Sequence, residues 1–102
     1  MRIVGGRLKG RTLMAPEGKE LRPTADRVRE AVFNILAHGV DGFEFDAATV
    51  IDVFAGTGAL GMEALSRAAE SAVFVEASEV LCRSLRESLK ELEMTDQARV
   101  VR

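Results

Sequence analysis

Val50-Ile51-Asp52-Val53-Phe54-Ala55-Gly56-Thr57-Gly58-Ala59-Leu60-Gly61 is the stretch whose reading decides the fold of this 102-residue chain. Val50, Ile51 and Val53 are β-branched, which suits a buried strand. Gly56 and Gly58 free the backbone for a tight turn and for close approach of a ligand. From Gly61 the sequence Met62-Glu63-Ala64-Leu65-Ser66-Arg67-Ala68-Ala69 reads as helix. A strand, a glycine turn and a helix N-terminus in this order form a small-molecule site in an open α/β sheet.

The spacing Gly56-x-Gly58-x-x-Gly61 matches a dinucleotide fingerprint, which is weak alone. Two carboxylates sharpen it. Asp52 closes the strand, and Glu76 ends the next apolar run, Ala72-Val73-Phe74-Val75, 20 residues after Gly56. A carboxylate at that distance suits the two hydroxyls of an adenosine ribose. NAD would bring an anionic pyrophosphate beside Asp52, whereas S-adenosylmethionine brings a sulfonium and an ammonium. The residues therefore favour S-adenosylmethionine. The plainer alternatives are that Asp52 is a turn or cap residue and that the glycines form an ordinary βα connection.

Bulk composition sets the bounds. At 47% hydrophobic and 29% charged residues the chain reads as one ordinary globular domain at most. No apolar run approaches the roughly 20 residues of a membrane span, and no signal peptide is visible. The single cysteine, Cys82, excludes an intrachain disulfide framework and fits a cytoplasmic location. No metal-ligand constellation is present; His38 reads as a last-turn helix residue. The net charge of −2 hides an asymmetry: residues 1–30 hold eight basic residues against four acids, so the remainder is acidic. A basic N-terminal arm on an acidic body points to a polyanion such as nucleic acid. With no aromatic residue in the arm, phosphate contacts are expected rather than base stacking.

Arg2–Leu8 and Arg11–Met14 read as two short strands turning near Lys9-Gly10. Such a hairpin must pack on something. A polar connection follows to Arg22, and then a helix opens at Arg22-Pro23-Thr24, with Thr24 as N-cap and Asp26 complementing the dipole. Val28, Ala31, Val32, Ile35 and Leu36 form the stripe expected to be buried, with Arg27, Arg29 and Glu30 pointing elsewhere. Phe43 and Phe45 are expected to cover one edge of the core. Ser78 should cap a helix from Glu79 to about Glu93, with Leu81, Leu85, Leu89 and Leu92 inward, and Ala98–Val101 starts a third strand.

Arg2-Ile3-Val4-Gly5-Gly6 with Lys9-Gly10-Arg11, the long block Leu21–Leu36, Asp52–Gly61 and Phe74-Val75-Glu76 together resemble the bacterial 16S rRNA guanine-N2 methyltransferases, the small-subunit methyltransferase D group. The resemblance implies a Rossmann-like α/β sheet, incomplete here and preceded by the β-hairpin. Residues 1–22 would form the basic hairpin and connection, and 23–102 the N-terminal half of the methyltransferase domain. It implies S-adenosyl-L-methionine as cofactor, bordered by Asp52, Phe54, Gly56, Gly58 and Gly61, with Glu76 on the ribose and the segment around Thr24, Arg27 and Asn34 beside the cofactor or the RNA. Arg2, Arg7, Lys9, Arg11, Arg22 and Arg27 would meet 16S rRNA or a small-subunit assembly intermediate. No catalytic residue is assigned, because amino-methyltransferases of this kind carry an Asn/Asp-Pro-Pro-Tyr/Phe loop after the fourth strand. Here the two prolines, Pro16 and Pro23, are not adjacent. The chain thus reads as the N-terminal part of an enzyme, inactive alone, whose organising strand would be a bare edge open to self-association. An NAD half-site of an oxidoreductase and a non-enzymatic RNA-binding module are the alternatives.

Overall fold

The computed structural model describes residues 2–14, the backbone of 23–25 and residues 26–102. Three parallel strands, β1 (Thr49–Val53), β2 (Ser71–Val75) and β3 (Ala98–Val101), form a sheet in the order β1-β2-β3. Helix α1 (Pro23–Gly39) precedes the sheet, α2 (Ala59–Ser66) joins β1 to β2, and α3 (Glu79–Glu91) leads through a 3-10 turn to β3. This is the expected α/β arrangement, with β1 at a sheet edge. The expected connection before Arg22, Arg22 itself and the Thr24 cap lie outside the described residues and side chains.

Strand periodicity explains where the core sits. Asp52, Ala72 and Phe74 are buried, and Val50 and Val100 pack against the same cluster as Met62 and Leu65 of α2 and Leu85 and Leu89 of α3. Alternate residues face the other way, and on β1 Ile51 and Val53 stay 66% and 56% exposed. Helix α3 follows its leucine spacing: Leu85, Leu89 and Leu92 are buried and Leu81 is half-buried, while the Ser78 hydroxyl accepts from the Leu81 N–H at 3.3 Å. Phe45 stacks on Phe33 with centroids 5.2 Å apart and meets Phe43 edge-on at 4.9 Å, closing the edge of the core beside α1.

Helix α1 corrects the expected stripe. Val28, Val32 and Ile35 are 57%, 44% and 61% exposed, and the inward residues are Asp26, Arg29 and Phe33, with Leu36 packed beside them. These also follow helical spacing, but two of the four are charged, so an apolar count selects the wrong face. Burial is possible because the charges are paired. Arg29 Nη2 donates to Asp26 Oδ1 at 2.8 Å and to the Arg2 carbonyl, and its Nε lies 3.5 Å from Glu63 Oε1 on α2. Glu63 is fully buried and also accepts from Arg67 Nε at 2.9 Å. The Arg67 guanidinium in turn sits 5.2 Å from the centre of the Phe33 ring.

The N-terminal arm turns back on itself as expected, but through one antiparallel bridge, Arg2↔Thr12, rather than two strands. Several arm amides bond within the arm, and three donate to side chains of the body. Val4 N–H donates to Glu63 Oε1 at 2.9 Å, Leu8 N–H to Ser66 Oγ at 3.0 Å, and Met14 N–H to Ser88 Oγ at 2.8 Å. Gly6 sits at φ +77° where a Cβ would lie 2.1 Å from the Ser66 carbonyl oxygen, so only glycine allows this approach. Ile3 and Leu13 join the same buried cluster as the helices. The arm is therefore packed on α2 and α3. Among the described residues no helix is long and apolar enough to cross a membrane.

Breaking one member of a buried ion pair leaves an uncompensated charge, at a cost of about 3–5 kcal/mol. Glu63→Gln should therefore lower the unfolding free energy by about that amount in urea titration. A loss below about 1 kcal/mol, typical of an exposed pair, would contradict this packing.

Candidate functional site

At the end of β1 the chain leaves the sheet through Phe54, which has φ +60°, and Gly56 and Gly58 follow at φ +59° and +84°. A left-handed phenylalanine carries backbone strain of the kind found at ligand sites. Its ring is 90% exposed beside the turn. Gly58 N–H closes the turn onto the Ala55 carbonyl at 2.8 Å, and α2 starts at once. Gly58 has no side chain to cap that helix. Asp52 supplies the cap from β1, its Oδ2 accepting from Gly61 N–H at 3.0 Å.

The three glycines of the motif have different surroundings. A Cβ on Gly61 would lie 2.4 Å from the Phe74 ring, so this glycine lets α2 pack onto β2. One on Gly58 would lie 2.9 Å from Met62 Cε and 3.1 Å from Leu85. At Gly56 nothing stands within 4 Å. Gly56 thus opens the turn to an approaching ligand, while Gly58 and Gly61 shape it from beneath.

Glu76 links β2 to this turn. Its Oε1 accepts from Gly56 N–H and its Oε2 from Ser78 N–H, each at 2.8 Å. The bonds from Ser78 and Gly56 hold its carboxyl below the ordinary value of 4.5. A carboxylate has about four lone-pair sites, so these bonds leave acceptor capacity for a ligand hydroxyl. Asp52 is pushed the other way: burial raises its pKa, the Gly61 bond opposes the shift, and the Glu76 charge adds to it. A cation brought to this end of the sheet would relieve both anions. The open backbone at Gly56, the fixed Glu76 and the nearby Asp52 are compatible in hydrogen bonding and charge with an adenosine-bearing sulfonium cofactor.

The other candidate residues lie elsewhere. Asn34 is exposed, and its Oδ1 is 3.4 Å from Arg67 Nη1, at the far end of α2 from the glycine turn. That separation is about 12 Å along the helix axis. Arg2, Arg7, Lys9, Arg11 and Arg27 are all exposed. Arg2 Nε is 3.5 Å from Asp26, while Arg7 reaches the Gln97 amide oxygen at 3.4 Å and Arg11 the Glu91 carbonyl at 3.2 Å. Sequence reasoning missed Glu63, Ser66, Arg67 and Ser88, which hold the arm and α1 to the body. The available signal was a lone glutamate among the small and apolar residues of α2. Among the described residues no cluster of metal-ligating side chains occurs.

Because folding lowers the Glu76 pKa, its stabilisation is present above the ordinary value of 4.5 and is lost as the pH falls through the folded value. Glu76→Gln should therefore destabilise the chain near neutrality, with the difference from the parent shrinking towards zero in strong acid. Unfolding curves across that range check it; an undiminished deficit in acid would contradict the assigned hydrogen bonds.

Comparison with known proteins agrees with this fold. The family described as Conserved hypothetical protein 95 matches residues 1–102. "Putative rRNA methyltransferase YlbH" of Bacillus subtilis is 42% identical over 102 residues, covering 100% of this chain and 53% of that protein. "Ribosomal RNA small subunit methyltransferase D" of Escherichia coli is 45% identical over 101 residues, covering 99% of this chain and 48% of that protein. A solved structure, "Putative methyltransferase yhhF from Escherichia coli", superposes with a TM-score of 0.81 at 42% identity, covering 99% of this chain and 51% of its own. The chain spans about half the length of the curated relatives it matches. It belongs to the family described as Conserved hypothetical protein 95, whose fold it shares with the methyltransferases it matches.

Proposed function

We propose that this chain contributes the cofactor turn and an RNA-facing arm to an S-adenosylmethionine-dependent methyltransferase acting on a guanine exocyclic amine of 16S rRNA, free or within an assembling small subunit. The observation that carries the reading is the open turn at Gly56, held beside Glu76 by a 2.8 Å hydrogen bond. The names of the relatives supply the reaction class and the rRNA substrate. Bound at this turn, S-adenosylmethionine would supply an electrophilic methyl group.

Each residue then has a part that follows from its place. Glu76 accepts the ribose hydroxyls with its remaining lone pairs, already oriented by Gly56 and Ser78. Gly56 lets the ligand reach the backbone, and the exposed Phe54 ring borders it. Asp52 fixes the start of α2 and adds negative potential that favours a cationic ligand over a pyrophosphate. The cations of the arm and of α1 hold rRNA phosphates. The Asn/Asp-Pro-Pro-Tyr/Phe signature that receives the target amine in such enzymes does not occur in these 102 residues. On this reading the chain by itself would bind cofactor without turning it over, and the edge of β1 that pairs with no strand among the described residues favours self-association.

Calorimetric titration with S-adenosylhomocysteine, alongside NAD, tests the reading. Heat with the former that is abolished by Glu76→Ala is the expected result. Binding of NAD in its place would overturn the cofactor assignment. Salt-sensitive RNA binding with neither cofactor would favour a non-enzymatic RNA module.

A further inference from the structure

A cavity of about 320 Å³ lies between the arm and the start of α1, away from the glycine turn. Arg2, Ile3 and Val4 line one side, Lys9 and Gly10 another, and Asp26, Arg27 and Glu30 the helix side. This volume is at the lower end of small-molecule sites. The charges are not equivalent. Asp26 is neutralised by Arg29 at 2.8 Å and Arg2 at 3.5 Å. Lys9, Arg27 and Glu30 are exposed, and their side chains make no hydrogen bond or ion pair with another described residue. The cavity therefore offers two uncommitted cations and one uncommitted carboxylate beside the apolar side chains of Ile3 and Val4.

A phosphate alone would satisfy the cations and be repelled by Glu30. A nucleotide satisfies both, because a carboxylate accepts hydrogen bonds from an exocyclic amine on a base edge. Uracil carries carbonyl oxygens where cytosine or guanine carries an amine, so Glu30 disfavours it. We propose that this cavity holds one unstacked ribonucleotide of the RNA, with its phosphate on Lys9 and Arg27 and the amino edge of its base on Glu30. The inference rests on the RNA-methylation reading and adds a base-discriminating site outside the cofactor turn. It needs no aromatic platform, which the arm lacks.

Amide NMR of the labelled chain, titrated with GMP, CMP, UMP and inorganic phosphate at millimolar concentrations, tests it. GMP and CMP should saturably shift the amides of Ile3, Val4, Gly10, Arg27 and Glu30, roughly tenfold more tightly than UMP, a difference of about 1.4 kcal/mol. Arg27→Ala should abolish those shifts while leaving the spectrum of the sheet unchanged, and Glu30→Gln should erase the preference over UMP. Absence of saturable shifts at these amides, or equal binding of UMP or phosphate, overturns the proposal. If S-adenosylhomocysteine still binds at Gly56 and Glu76 in that case, only the nucleotide site fails. Loss of cofactor binding with the cavity still responding would instead count against the proposed enzyme.

Discussion

The buried carboxylate of Glu63 is the interaction on which the rest of the structure depends. It receives the Val4 amide from the arm, faces the Arg29 guanidinium of α1 and holds Arg67 at the end of its own helix. A charge with no solvent contact is tolerable only when surrounded by donors and opposite charge. Those partners come from three separate stretches of chain. Once Glu63 is placed, the arm, α1 and α2 have one mutual arrangement, and Ser66 and Ser88 extend it by accepting further amides of the arm.

Helix α2 thereby serves both ends of the molecule. Its first turn is fixed by Asp52 and rests on Phe74 through Gly61, which sets the glycine turn against the sheet. Its later residues, Glu63, Ser66 and Arg67, carry the arm and α1. A helix of 8 residues is short and stiff, so the glycine turn and the basic arm are held at a fixed distance. This gives a physical reason for the polar residues in an otherwise apolar helix. It also explains how a pair of short arm segments, too small to be stable alone, becomes ordered.

Strand β1, the glycine turn and helices α2 and α3 were legible because β-branched residues, turn glycines and leucine spacing are local signals. The spacing of Glu76 from Gly56 was legible for the same reason, and the hydrogen bond between them gives it a structural meaning. The face of α1 was not legible. Its partner for Arg29 is Glu63, far along the chain, and without that pairing Val28, Val32 and Ile35 look like the natural inward stripe. The single bridge of the arm was hidden similarly, because the acceptors of its Val4, Leu8 and Met14 amides are side chains of α2 and α3. The glycine motif was readable as a pattern, but the distinction between open Gly56 and packed Gly58 and Gly61 depends on Phe74, Met62 and Leu85.

The most direct test of this account is native-state hydrogen exchange of the arm amides against those of α2. Val4, Leu8 and Met14 should exchange with protection comparable to Met62 and Leu65, since their acceptors are side chains of the packed helices. Exchange of the three arm amides at the rate of an unstructured chain, with α2 still protected, would contradict the claim that Glu63, Ser66 and Ser88 fasten the arm to the α/β body.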